Sequence, residues 1–181
     1  MGARATSLGT KASAIRLVLL DVDGVLTDGG ITYGGGDLEL KRFDIQDGMG
    51  IALAVKAGLK VGILTGRTSP MVERRARELS ITVIKQGFLN KLQGWEEILR
   101  EERLKPSEVA AIGDDVQDLP VLWRAGLSAA PGNAVAEVQS EVDYVCRRSG
   151  GRGAVREFID LLLAEKGIKA EVIAAITGKK P

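Results

Sequence analysis

Residues 15–28 read Ile-Arg-Leu-Val-Leu-Leu-Asp-Val-Asp-Gly-Val-Leu-Thr-Asp, and this stretch decides the fold class. The apolar run 17–20 ends abruptly in Asp21 and Asp23. A short apolar run closed by a polar turn is typical of a buried strand in a parallel sheet, and ligands bind beyond the carboxyl ends of such strands. In extended backbone both carboxylates lie on one face, where a bound cation would relieve their repulsion. Because acids after a strand also form ordinary turns, the rest of the chain must decide between these interpretations.

The composition limits the chemistry that this chain can perform. The 181 residues fit one domain, and with 45% hydrophobic but only 4% aromatic residues we expect a core of Val, Leu, Ile and Ala. The chain has no histidine and one cysteine, Cys146, which excludes histidine triads, histidine-ligated zinc sites and a disulfide within the chain. Any metal site must therefore use mainly oxygen ligands, which favours Mg²⁺.

Charge and hydropathy predict neither a nucleic-acid partner nor a membrane partner. The formal net charge is +1, which gives no general attraction to polyanions or anionic lipid. No apolar run approaches the roughly 20 residues that span a bilayer. Residues 1–14 are small and polar and lack the apolar centre of a secretory signal. We therefore expect a disordered N-terminal tail over 1–14 and a cytoplasmic protein.

Beyond the first strand, the chain alternates short apolar runs with helical patterns. Short segments rich in apolar and β-branched residues predict further strands at 60–64, 81–84, 109–112, 127–129 and 143–145, with helices between them. This alternation predicts an α/β fold, a three-layer Rossmann-like parallel sheet, in a single domain over 15–166. Two short alternating segments around Gly34-Gly35-Gly36 predict a β-hairpin over 29–43, and no segment is long enough for a cap domain. The pattern weakens over 167–181, which we expect to be a tail.

Polar residues follow several of the predicted strands. Thr65-Gly66-Arg67 comes directly after the strand 60–64, and the acidic string Gly-Asp-Asp-Val-Gln-Asp at 113–118 follows the strand 109–112. Turn geometry alone can explain the threonine, but helix caps cannot easily satisfy three acids at one strand end. Lys91 opens a predicted helix, where the helix dipole disfavours a cation, so it is expected either to neutralise an anion or to be an ordinary surface lysine.

Four strings in this order resemble the motifs of the haloacid dehalogenase-like (HAD) phosphohydrolases: DVDGVLTDG, LTGR, NKL and GDDVQD. The resemblance implies that Asp21 is the nucleophile and Asp23 the general acid and base. It also implies a Mg²⁺ site formed by Asp21, Asp23 (through its main-chain carbonyl) and Asp114, with Asp115 and Asp118 behind it. Thr65 and Lys91 would bind the phosphoryl group.

Within this superfamily the chain resembles the 3-deoxy-D-manno-octulosonate 8-phosphate (Kdo-8-phosphate) phosphatases from residue 15 to about 165. The strings KRFDIQDGMGI, QGFLNKL and GGRGAVRE carry this closer resemblance. It implies a capless homotetramer in which neighbouring subunits cover each site and C-terminal tails reach neighbouring sites. It also implies that a sugar-acid phosphate is bound by Asp23, Asp44, Ile45, Gln46, Asp47, Gly48, Thr65, Gly66, Arg67, Arg75 and Lys91.

One departure leaves the substrate open. Ala52 stands where that family usually carries a further substrate-contacting arginine, and Lys56, one turn later, is a candidate replacement. A nine-carbon sugar-acid 9-phosphate is therefore an alternative substrate. Two further alternatives are a non-catalytic HAD domain that organises a tetramer, and a phosphotransferase or response-regulator-like receiver. The presence of Asp23 argues against the first, and the position of Asp21 in the first strand argues against the second.

Overall fold

A computed structural model describes residues 7–36 and 39–178 of this chain. Its centre is a six-stranded sheet of β1 (Leu17–Leu20), β4 (Lys60–Leu64), β5 (Val83–Lys85), β6 (Val109–Ile112), β7 (Leu127–Ala130) and β8 (Tyr144–Val145). The strands lie in the order β5-β4-β1-β6-β7-β8, and every neighbouring pair is parallel. The structure confirms the predicted α/β architecture.

The strand β1 lies in the interior of the sheet because all four of its residues are apolar. All four of its residues are buried, because β4 and β6 pair with its two edges and helices cover both faces. In register, Leu20 lies beside Ile63 of β4 and Ile112 of β6. Asp21, Thr65 and the acidic loop after β6 therefore leave the sheet at the same edge.

The helices form a layer on each side of the sheet. They are α1 (Leu8–Ala14), α2 (Ile45–Lys56), α3 (Pro70–Glu78), α4 (Lys91–Glu102), α5 (Leu119–Leu122), α6 (Ala136–Gln139), α7 (Ala154–Glu165) and α8 (Lys169–Thr177). One face of the sheet packs against α1, α2, α3, α7 and α8, with Phe158 fully buried among them. The opposite face packs against α4, α5 and α6 around Trp95 and Ile98. These two apolar layers complete the three-layer arrangement.

Two segments expected to be tails are partly helical. Ser7 caps α1 by accepting a hydrogen bond from the Thr10 N–H, and Ala12 of that helix is fully buried against the α7 layer. The prediction of disorder over 1–14 is therefore wrong for residues 8–14, because a short stretch of small residues can dock on a larger helix. Near the C-terminus, α8 packs on α7 and α2 of its own chain and buries Val172. Residues 1–6 and 179–181 of the predicted tails lie outside the described residues.

The predicted hairpin is present as a two-stranded antiparallel sheet of β2 (Thr32–Tyr33) and β3 (Glu39–Leu40). Residues 37–38 at its turn lie outside the described part of the chain. In the described ranges, no cap domain follows β1, and no helix is long and apolar enough to cross a membrane. The hairpin is therefore the insertion that follows β1, between the first strand and α2.

Candidate active site

The loop after β1 is built for close contact with the acidic loop after β6. Gly24 has a φ of 92°, and a Cβ added there would lie 2.0 Å from the Asp114 Oδ2 atom. Only glycine both adopts this backbone conformation readily and leaves room for the carboxylate. The loop containing Gly150 packs behind it so tightly that a Cβ on Gly150 would lie 1.7 Å from the Gly24 carbonyl oxygen. Asp21 and Asp114 are therefore held side by side by backbone packing.

Lys91 lies between two of the acids. Its side chain is 2% exposed, its Nζ atom is 2.8 Å from Asp21 Oδ1, and it also donates a hydrogen bond to Asp118. The helix that carries Lys91 comes close to the sheet because Gly94 has no side chain; a Cβ there would lie 2.5 Å from a Leu64 methyl group. Burial lowers the pKa of Lys91, but the charges of Asp21 and Asp118 outweigh burial and raise it overall. Lys91 is therefore a cation held inside the domain by its partners.

Both carboxylate oxygens of Asp118 have hydrogen-bonding or charged partners within the protein. Its Oδ2 atom accepts hydrogen bonds from the main-chain N–H groups of Asp114 at 3.0 Å and Asp115 at 3.2 Å, and its Oδ1 atom pairs with Lys91. Asp115 is exposed, and its side chain accepts from the Val116 N–H at 2.7 Å, so it caps the following turn. Of the two acids predicted to support the metal site, Asp118 contacts the buried lysine, whereas Asp115 serves as a cap.

The carboxylates at the sheet edge suit a hard divalent cation. Oxygen atoms of Asp21, Asp114 and Asp118 lie within 4.8 Å of one another. Within the described ranges, Asp114 Oδ1 is buried and has no hydrogen-bond partner. Burial, together with the nearby charges of Asp21 and Asp118, raises the pKa of Asp114 to about 7. Burial also raises the pKa of Asp21 to about 6, although Lys91 opposes that shift. A buried carboxylate oxygen that lacks a partner and repels its neighbours is the kind of ligand that Mg²⁺ satisfies.

We expect Asp114→Asn to stabilise the metal-free protein at pH 7.5 by roughly 1–2 kcal/mol. The folded pKa of Asp114 is raised from 3.8 to about 7. The folded state therefore holds its proton to higher pH than the unfolded chain, and wild-type stability falls as pH rises between those two values. Thermal unfolding in EDTA at pH 5 and pH 7.5 measures this effect, and the variant's advantage should shrink at pH 5.

Adding Mg²⁺ should reverse the order in the same assay, raising the melting temperature of the wild type and leaving Asp114→Asn nearly unchanged. Asp115→Asn is the matched control, since it removes the same charge from the exposed neighbouring position. An equal Mg²⁺ response in the wild type and Asp114→Asn would show that Asp114 is not a ligand.

Asp23 lies at the outer side of the site, among charges from the hairpin. Lys41 donates a hydrogen bond to Asp23 Oδ1 and lies 3.2 Å from a carboxylate oxygen of Glu39. Arg67 lies 3.0 Å from Glu39 and 3.9 Å from Asp23 Oδ2. Lys41 and Glu39 were not among the residues predicted from the sequence to form the site. The alternation of the second hairpin strand puts these two charges on one face, which is a signal that could have identified them.

Two acids of the predicted substrate loop 44–48 have different structural roles: Asp44 caps a helix, and Asp47 is buried against another helix. Asp44 caps α2 by accepting a hydrogen bond from the Gln46 N–H group at 2.6 Å, so the loop residues Ile45–Gly48 form the first turn of this helix. Asp47 instead accepts from the N–H groups of Gly153 at 3.1 Å and Arg156 at 2.9 Å, at the start of α7. The structure thus assigns the Asp47 carboxylate a packing role between helices, and the prediction that this side chain binds substrate is not supported by its geometry.

The remaining predicted binding residues surround this loop. Arg75 donates to the Asp44 carbonyl oxygen at 3.4 Å and passes over Gly48, where a Cβ would lie 2.4 Å from the guanidinium. Ile45 is 83% exposed, and the Gln46 side chain accepts from Arg148 at 2.6 Å. Thr65 and Gly66 follow β4 at the same edge as Asp21, with Thr65 buried. Ala52 is half-buried and Lys56 exposed, both in α2.

Comparison with known proteins identifies the family. The chain is 46% identical over 157 residues to the 3-deoxy-D-manno-octulosonate 8-phosphate phosphatase of Escherichia coli K12, covering 87% of this chain and 84% of that protein. The chain belongs to the Kdo-8-phosphate phosphatase family. Residues 80–159 also match the model of the haloacid dehalogenase-like hydrolases. The resemblance stated from the motifs is therefore confirmed.

Solved structures of Kdo-8-phosphate phosphatases share this fold. The Yersinia pestis enzyme superposes with a TM-score of 0.88 at 41% identity, covering 90% of this chain and 88% of that one. The Moraxella catarrhalis enzyme, solved in complex with magnesium, phosphate and KDO, superposes with a TM-score of 0.90 at 38% identity, covering 93% and 97%. The HAD phosphatase fold therefore extends over most of the length of this chain.

Proposed function

We propose that this protein is a Mg²⁺-dependent phosphatase that hydrolyses Kdo 8-phosphate to Kdo and inorganic phosphate. The observation that carries the proposal is the buried Asp21–Lys91 pair at the carboxyl edge of the sheet, beside an Asp114 oxygen that has no hydrogen-bond partner among the described residues. The Moraxella catarrhalis relative was solved with magnesium, phosphate and KDO. The relatives that match most of this chain are named as Kdo-8-phosphate phosphatases, and this supports the same reaction class.

In the first half-reaction, a carboxylate oxygen of Asp21 attacks phosphorus in line with the leaving group. A bond forms between this oxygen and phosphorus, and the bond between phosphorus and the sugar oxygen breaks. Asp23 gives its proton to the departing sugar oxygen, so the sugar acid leaves as an alcohol. The product on the protein is an aspartyl-phosphate at Asp21.

In the second half-reaction, Asp23 takes a proton from a water molecule that attacks the aspartyl-phosphate. The bond between phosphorus and the Asp21 oxygen breaks, inorganic phosphate leaves, and both acids return to their starting states. Lys91 remains paired with Asp21, so its charge offsets the negative charge that gathers around the phosphoryl group. Thr65, buried at the end of β4, is proposed to donate its hydroxyl hydrogen to a phosphoryl oxygen.

The side chains of Asp21 and Asp114 and the main-chain carbonyl of Asp23 would hold Mg²⁺. When bound, this ion neutralises phosphoryl oxygens and allows a carboxylate to approach an anion. The protein's own part is to keep Asp114 in place, and Asp118 does this by accepting a hydrogen bond from the Asp114 main-chain N–H group.

The capless site supports a proposal of a homotetramer in which neighbouring subunits cover the substrate. Ile31, Tyr33 and Leu40 of the hairpin are 47%, 72% and 51% exposed in the single chain. Apolar side chains that project from a short hairpin favour burial against another subunit. Light scattering coupled to gel filtration would measure the number of subunits.

A phosphate-release screen tests the proposed reaction. The purified chain is assayed with Kdo 8-phosphate, a nine-carbon sugar-acid 9-phosphate and glucose 6-phosphate, each with Mg²⁺ and with EDTA. We expect the highest kcat/KM on Kdo 8-phosphate and loss of activity in EDTA. Release of phosphate from none of the three esters would contradict the phosphatase proposal and favour a non-catalytic domain.

The nine-carbon substrate is the second candidate because Ala52 leaves a position without the usual guanidinium. A substrate whose carboxylate is bound by other residues of the site would not need an arginine at position 52. A kcat/KM on the nine-carbon ester above that on Kdo 8-phosphate would decide for it. Lys56→Ala tests the proposed replacement, and a higher KM for the sugar acid with an unchanged kcat would show that Lys56 contacts substrate.

A further inference from the structure

We propose that Lys41 of the hairpin is a positioning residue for Asp23, which fixes the carboxylate so that one defined oxygen exchanges the proton. This inference rests on the proposed function, because it assigns Asp23 the role of proton donor and acceptor. It adds a residue from outside the four HAD motifs, on an insertion that otherwise resembles a surface hairpin.

The burial of Lys41 is the first observation. Its side chain is 3% exposed, although it lies next to a two-residue strand of a small hairpin whose apolar side chains are largely exposed. Lysine is rarely buried without partners, because losing hydration of the ammonium group is costly. Lys41 has two anionic partners here, Asp23 and Glu39. The hairpin therefore directs a dehydrated cation onto Asp23.

The contacts of the two Asp23 oxygens differ. Oδ1 accepts the hydrogen bond from Lys41. Oδ2 lies 3.9 Å from Arg67 Nε, which is beyond hydrogen-bond distance. Because Lys41 occupies Oδ1, Oδ2 is the oxygen left to give a proton to the leaving group and to take one from water.

Glu39 keeps this arrangement together. It lies 3.2 Å from Lys41 and 3.0 Å from Arg67, so the four side chains of Asp23, Lys41, Glu39 and Arg67 form a closed ring of alternating charge. The ring joins the loop after β1, the hairpin and the loop after β4. A lysine on a mobile surface hairpin could not orient a carboxylate, whereas a lysine anchored on its other side by Glu39 can.

The experiment compares two substrates whose leaving groups need a proton to different degrees. Kdo 8-phosphate releases a strongly basic alkoxide, whereas p-nitrophenyl phosphate releases a stable phenolate. General acid catalysis contributes about 10²–10⁴-fold where the leaving group needs it. We expect Lys41→Met to lower kcat/KM about 30-fold or more on Kdo 8-phosphate and less than about fivefold on p-nitrophenyl phosphate. Lys41→Arg should restore at least part of the loss, since a guanidinium can reach the same oxygen.

Arg42→Met is the matched control, because it removes the same charge from the next residue, which is exposed and pairs with Asp28 at 2.9 Å. It should keep both activities within about twofold of the wild type. If Lys41→Met fails to fold by circular dichroism, Glu39→Gln replaces it as the test. Glu39→Gln keeps Lys41 but weakens the ion pair that anchors it. It should therefore also lower kcat/KM selectively on Kdo 8-phosphate, by a smaller factor than Lys41→Met.

Three results would overturn the inference. Equal losses on both substrates would show that Lys41 binds the phosphoryl group or only supports the fold. Unchanged kcat/KM in Lys41→Met, with an active wild type, would show that Asp23 needs no positioning partner. A wild type that hydrolyses neither ester would overturn the proposed function itself, and with it this role for Lys41.

Discussion

Asp21→Asn should lower kcat for phosphate release by at least about 10⁴-fold, which is the scale seen when a catalytic nucleophile is removed. An amide oxygen is a poor nucleophile toward phosphorus, so the aspartyl-phosphate would not form. Steady-state phosphate release on Kdo 8-phosphate with Mg²⁺ measures the loss. Acid-quenched samples incubated with ³²P-labelled Kdo 8-phosphate should show label on the wild-type chain and none on Asp21→Asn.

Asp28→Asn is the control for this prediction. Asp28 lies in the same loop after β1, but its side chain is 42% exposed and pairs with Arg42 and Arg152. This variant should keep at least half of the wild-type kcat. If Asp21→Asn retained the wild-type rate, or if the label mapped to a residue other than Asp21, the mechanism proposed here would be wrong.

Lys91→Met should give the largest loss of stability of the substitutions discussed here, about 3–5 kcal/mol at pH 8 in EDTA. The methionine fills a similar volume but leaves the buried carboxylates of Asp21 and Asp118 facing each other without a cation. Chemical denaturation followed by circular dichroism measures the free energy of unfolding. Phosphatase activity should also fall by about 10²-fold or more, because the charge beside the phosphoryl group is gone.

The pH dependence of this loss follows from the signs of the shifts. The raised pKa of Lys91 keeps its ammonium group charged throughout the neutral range, and Asp21, whose pKa is about 6, is ionised beside it at pH 8. In Lys91→Met, Asp21 loses the partner that opposes the burial-driven rise of its pKa, so it takes up a proton more readily. The deficit should therefore be larger at pH 8 than at pH 5, where protonation removes the repulsion.

A double variant and a surface control complete the test. Lys91→Met combined with Asp118→Asn removes one of the two stranded charges and should recover part of the stability without recovering activity. Lys60→Met removes a lysine whose side chain is 56% exposed and which pairs with Glu102, so it should change stability by less than about 1 kcal/mol. Equal losses in Lys91→Met and Lys60→Met would show that the buried pair contributes no more than a surface ion pair.

The sequence by itself determined where the strands end and which chemical groups stand there. Leu17–Leu20, Lys60–Leu64 and Val109–Ile112 form strands at the predicted positions. Such strands are readable from sequence because burial on both faces requires continuous apolar runs, and a polar turn must end each one. The positions of Asp21, Thr65 and the acidic string 113–118 at one edge then follow from the parallel arrangement.

Only the tertiary structure decided which partner each charged group has. Asp47 stands beside the predicted substrate loop in sequence, yet its carboxylate binds the main chain at the start of α7, more than 100 residues later. Lys91 is a buried cation and not a surface lysine, and Lys41 reaches Asp23 from the hairpin. Patterns of neighbouring residues encode local conformation and burial, whereas these pairings depend on how distant segments pack. For that reason the strand ends were readable from the sequence, and the charge partners that set the chemistry were not.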